Sequence, residues 1–135
     1  MKDIERFVEA HLLGIELSES PKAVKLVFRD PNGRRFSLKG LQLHRFLASD
    51  LREANIVDRL NLWDSTANVD NYRDALCWLV SGQDDPQNAD WKQLVETEIK
   101  SIQDGNKVFA SIEAVYGAQI LMLAGGFVVS GWPQT

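Results

Sequence analysis

Cysteine is nearly absent from this chain. The one thiol, Cys77, excludes an internal disulfide and leaves stability to an apolar core. Histidine is scarce too. His11 and His44 have no second His or Cys at ligand spacing, so neither a metal site nor a cofactor is expected. No uninterrupted apolar run reaches membrane-spanning length, which argues against a membrane partner. The opening MKDIERFVEAH lacks the basic start and apolar stretch of a secretory signal, so a cytoplasmic location is expected. Gly125-Gly126 has neither the third glycine nor the following helix of a dinucleotide fingerprint, and no GxSxG, HExxH or EF-hand pattern occurs. Cys77 sits in DALCWLV, without the cations that activate a thiolate, and reads as a small buried hydrophobe. A non-enzymatic protein is therefore the expectation.

What is present is ordinary globular composition, 44% apolar and 25% charged over 135 residues, which suits a single domain spanning 1–135. The charge is uneven. Residues 1–60 carry +2 and residues 61–135 carry −6, for a net −4. That acidic excess argues against nucleic acid, which needs clustered cations, and favours a basic protein partner. The hairpin cations Lys25, Arg29, Arg34, Arg35, Lys39 and Arg45 are interleaved with Glu16, Glu19 and Asp30 and read as a solvated sheet face.

The most apolar stretch is Lys107–Val129. It reads as two neighbouring strands turning at Tyr116-Gly117, the second apolar on both faces and so covered on both sides, with a break or bulge at Gly125-Gly126. Upstream, Ile4, Phe7 and Val8 suggest a short helix, and Leu13, Ile15 and Leu17 alternate as a half-buried strand. A β-hairpin follows over 20–46. Val24, Leu26, Phe28, Phe36 and Leu38 point inward, Asp30-Pro31-Asn32-Gly33 turns the chain, and Gly40 suggests a bulge. Residues 48–55 are a polar connection, helical turn or loop. Residues 56–64 read as a strand with Leu60 and Leu62 on one face and Trp63 on the other. Asp70 is placed to cap a helix to about Val80 with Ala75, Leu76 and Leu79 on its apolar face, and Gly82 to end it. A second helix starts after Pro86, repeats Trp91, Leu94, Val95, Ile99 and Ile102, and stops at Asp104-Gly105-Asn106. The fold class expected is α+β: a mainly antiparallel sheet of about six strands with two main helices packed on one face.

Glu113 lies on a largely buried strand, where an acid must be solvated or paired, with Lys107 or Arg29 as partners in reach. The acids Asp64, Asp70, Asp74, Asp84, Asp85 and Asp90 gather around the two helix starts. Capping accounts for two or three of them. The set would form an acidic rim near Trp63 or Trp91, a surface suited to a basic partner.

The segments FSLKGLQLHRFLASDLREANIVDRLNLWD (36–64) and SIEAVYGAQILML (111–123) resemble small bacterial immunity proteins of polymorphic toxin systems. The resemblance implies a protein-binding role, neutralisation of a cognate toxin such as a nuclease domain, and assigns no individual residue. Two other readings stand beside it. One is a structural or regulatory interaction module, monomer or homodimer. The other is a small enzyme, which requires His44 or Glu113 in a concave pocket with an unusual neighbour.

Overall fold

The computed structural model describes residues 4–83 and 87–131. Six antiparallel strands and two helices make an α+β fold. The strands are β1 (His11–Glu19), β2 (Lys22–Arg29), β3 (Arg35–Ser49), β4 (Ile56–Trp63), β5 (Val108–Tyr116) and β6 (Gln119–Gly131). Helices α1 (Arg73–Ser81) and α2 (Ala89–Gln103) lie between β4 and β5. The sheet does more than the alternation pattern predicts, because it closes on itself in the order β1-β2-β3-β6-β5-β4. Closure is narrow. His11 pairs with Ile56, and three further bonds join the strands there: Glu9 N to Val57 O (2.8 Å), Val57 N to Ala10 O (2.9 Å) and Leu12 N to Asn55 O (2.8 Å). No helix among the described residues is long and apolar enough to cross a membrane.

Two apolar cores result. The barrel interior holds the inward residues Val24, Leu26, Phe28, Phe36, Leu38, Leu60, Ile112, Ile120 and Met122. The second core lies outside the barrel wall. There Tyr72, Leu76, Cys77 and Val80 of the α1 region and Val95, Ile99 and Ile102 of α2 cover Phe109, Leu121 and Leu123. β6 is apolar on both faces because it separates these two cores.

Several local expectations shift in phase. The N-terminal segment is only a 3₁₀ turn, Ile4–Phe7. Phe7 plugs the barrel edge-on to Phe28 and Phe36 at 5.1 and 5.0 Å, while Val8 is exposed. Four residues cannot sustain an α-helix, and Glu9 at φ 63° ends the turn. In β1 a bulge between Leu12 and Gly14 turns Leu13 outward and leaves Leu12 and Ile15 on the core; Leu17, paired with Val24, keeps the Ile15 face but is exposed. Gly40 is no bulge. The ladder runs through it, and the missing side chain makes room for the Phe127 ring, 3.0 Å from where a Cβ would stand. The bulge of β3 lies instead between Leu43 and Arg45. Gly125-Gly126 does not break β6, which continues to Gly131.

Asp70 caps nothing. Asn68 Oδ1 accepts from Asp70 N and starts a 3₁₀ turn (Val69–Asn71), after which α1 begins at Arg73 without a side-chain cap. Its buried face is Leu76, Cys77 and Val80, with the expected Ala75 and Leu79 partly buried against the same core. Gly82, in left-handed conformation, ends it as expected. The Pro86 start signal lies outside the described residues, and Asn88 caps α2 through Asp90 N (2.7 Å) and Trp91 N (3.4 Å). Trp91 and Leu94 are exposed; the face that packs is Val95, Glu98, Ile99 and Ile102.

The 48–55 connection resolves into the end of β3 and a loop organised by Asn55. Its Oδ1 accepts from Arg52 N (3.0 Å) and from Ala118 N (2.9 Å), and its Nδ2 donates to Arg52 O (2.8 Å). One nearly buried amide thereby ties this loop to the β5–β6 turn.

Candidate functional site

The helix layer covers the barrel wall incompletely, and a groove of about 490 Å³ runs beside α1. Its floor is built by strand alternation: Arg59, Asn61 and Trp63 from β4, Ser111 and Glu113 from β5, and Gln119 from β6. Asn71, Asp74 and Ala75 form the wall. A second depression of about 380 Å³ shares Asp74, Ala75 and Gln119 and adds Trp78 and Leu121, so the two are continuous.

Glu113 pairs with its cross-strand neighbour Arg59 (Nε–Oε2 3.2 Å), and Asn61 Nδ2 donates to the same oxygen at 3.3 Å. The expected partners do not serve, because Lys107 is engaged elsewhere. The pair is exposed and contributes about 0–1 kcal/mol, so it orders the groove more than it stabilises the fold. The Asp74 carboxylate has no hydrogen bond or ion pair within the described residues.

A second polar centre lies under α2. Glu98, only 3% exposed, accepts from Arg45 Nε at 2.7 Å and Lys107 Nζ at 2.8 Å, with His44 Nε2 at 2.9 Å. Consecutive strand residues normally point to opposite faces. The β3 bulge turns both His44 and Arg45 to the same side, toward Glu98. Burial pushes the Glu98 carboxyl upward. Hydrogen bonds from Lys107 and Arg45, with the charge of His44 in the acid range where it is protonated and that of Lys107, outweigh it and hold Glu98 below the usual carboxylate range. Burial lowers His44, helped by Lys107 and Arg45 and opposed by Glu98, so the imidazole is neutral at neutral pH with Nε2–H donating. Residues 43–46 also line a depression of about 460 Å³ at the barrel mouth. No serine hydroxyl or thiol hydrogen-bonds to His44 among the described residues; the nearby Ser18 donates to Pro21 O instead (2.9 Å).

The four described acids of the set have different neighbours. Asp64 accepts from Thr66 N and Oγ1 at 2.9 and 2.6 Å, which lowers its pKa, and it lines a separate depression with Ile4, Leu62, Val108 and Phe127. Asp70 lies beside Arg73, which bonds Glu96 of α2. Asp90 stands in the first turn of α2, six residues before Glu96 and so about 9 Å from it along the axis. Asp84 and Asp85 lie outside the described residues. Of the four described acids, Asp74 is the one on the groove. Glu98 escaped the sequence reading, although its signal was there: an acid at the i+3 position of the stripe Val95, Glu98, Ile99, Ile102.

No group of three or more His, Cys, Asp or Glu side chains placed to hold a metal ion occurs among the described residues. The geometry defines a class: a closed six-stranded barrel with a helical layer on one wall and a polar groove at the layer's edge. Comparison with protein-family models, curated proteins and solved structures finds no match for this chain.

Proposed function

We propose that the protein is a non-enzymatic binding domain for a basic protein surface, most concretely an immunity protein that neutralises a toxin domain in the cytoplasm. The observation that carries this reading is the unpartnered Asp74 carboxylate at the edge of a groove lined by Trp63 and Trp78. An aromatic anchor beside an acid that has no partner among the described residues suits a Lys or Arg side chain from outside. The −6 balance of residues 61–135 adds long-range attraction for such a partner.

The test begins with the gene neighbourhood: a large secreted protein encoded beside this gene is expected, and its C-terminal domain is co-expressed with the full chain. Protection of growth and a stable complex are expected. Asp74→Lys should slow association about tenfold at low salt, with unchanged thermal stability. The absence of such a neighbour, or an association rate indifferent to Asp74→Lys, defeats the reading. A small enzyme is the second reading, favoured by the placement of His44 at a concave mouth against buried Glu98. It requires His44→Gln to abolish a turnover that Asp74→Lys leaves intact.

A further inference from the structure

β3 outruns β2. Their ladder ends at Ala23 and Leu41, but β3 continues along β6 to Ser49. The barrel mouth occupies the space beyond the end of that ladder, between the β1–β2 turn and the β3 bulge. Its walls are of two kinds. Leu17, Leu43 and Phe46 are apolar, and Leu17 is 59% exposed although it sits within a strand. Lys22 and Arg45 are cationic.

The cations are differently held. Arg45 hydrogen-bonds Glu98 through Nε alone, which fixes the plane of the guanidinium and leaves its terminal nitrogens available. Lys107 takes the other Glu98 oxygen, so the carboxylate does not neutralise both bases. Lys22 has no ion-pair partner among the described residues; its cross-strand neighbour Glu19 also borders the mouth but makes no ion pair with it. A buried acid that orients a base toward an apolar cavity is a preorganised anion site. Mouths of β-barrels are common places for small ligands, and this volume suits one.

We propose that the barrel mouth binds a small organic monocarboxylate with an apolar tail, its carboxylate between Lys22 and Arg45 and its tail across Leu17, Leu43 and Phe46. Glu98 is a positioning residue, since it orients Arg45 without facing the ligand. The site is separate from the groove beside α1, so its failure leaves the protein-binding reading standing.

The probe is octanoate, titrated into the full-length protein by calorimetry and by amide NMR, with octan-1-ol and inorganic phosphate as comparators. Saturable one-site binding is expected, with shifts at residues 17–22 and 43–46. Lys22→Gln should weaken it roughly fivefold and Glu19→Gln should tighten it, both residues being exposed and safe for folding. No saturation at millimolar octanoate overturns the proposal. So does octan-1-ol binding equally well, which removes the anion, or phosphate binding equally well, which removes the tail. Weakening by Glu19→Gln also overturns it, because the head group would then be zwitterionic.

Discussion

Glu98→Gln tests the balance of forces under α2. The wild-type carboxylate is buried and meets three nitrogen donors within 2.9 Å. The glutamine has nearly the same shape but no charge, and its amide nitrogen must face one of the former donors. Hydrogen bonds to charged groups contribute about 1.5–3 kcal/mol each, and two of them, from Arg45 and Lys107, are degraded at once. Full loss of a buried pair costs about 3–5 kcal/mol. Here Arg45 and Lys107 keep 28% and 22% side-chain exposure, so water recovers part of that. The expected cost is about 2–4 kcal/mol, or a fall in Tm of roughly 6–15 °C for a chain of this size. Urea unfolding at pH 7 measures it. The pH dependence separates charge from packing. A carboxyl with a depressed folded-state pKa stabilises above its unfolded value, and that stability is lost as pH falls through the folded value. The difference between wild type and Glu98→Gln should therefore shrink between about pH 5 and pH 3. A difference that stays constant down to pH 3 would refute the electrostatic account and leave shape alone.

Two further predictions concern the loop junction and one concerns acid sensitivity. Gly117→Ala should cost about 2 kcal/mol or more in urea unfolding: φ is 96°, and a Cβ there would run into Asn55 and the Ala54 carbonyl. Asn55→Ala strands the buried Ala118 N–H and frees the Arg52 turn, so a loss of about 2–3 kcal/mol is expected, with faster hydrogen exchange at Ala118. His44 has a lowered folded-state pKa, so its contribution is complete above its ordinary value near 6.5 and declines as pH falls below it. His44→Gln should flatten the stability profile as pH falls below about 6.5, and an unchanged slope there would contradict the assignment.

The elements were largely legible because their signals are local. Val24, Leu26 and Phe28 recur at every second position, and they are fully buried in β2. Asp30-Pro31-Asn32-Gly33 forms the expected turn, with Asp30 Oδ1 accepting from Asn32 N and Arg34 N. Errors came where one extra residue resets the phase. The bulge at Leu13 turns that residue outward and puts Leu12 on the core in its place, and the bulge at His44 puts two neighbours on one side. In α2 the stripe Val95, Ile99 and Ile102 is buried as its spacing predicts, while Trp91 and Leu94 look like core residues and are exposed, and the acid Glu98 does not look like one and is buried. Of the candidate sites, Asp74 and Glu113 were named from sequence, but nothing in their spacing says that a groove holds both.

The sequence by itself determined the α+β composition, the strand alternation, the principal turns and the doubly apolar β6, since propensity and periodicity act over a few residues. Only the tertiary structure decided that the sheet closes, that Glu98 gathers bases from two strands, and that a groove and a mouth remain open. Those features depend on pairings distant in sequence, such as His11 with Ile56, Arg45 with Glu98 and Asn61 with Glu113. Their geometry is set by strand register and bulge position, and a single inserted residue there changes which side chains meet.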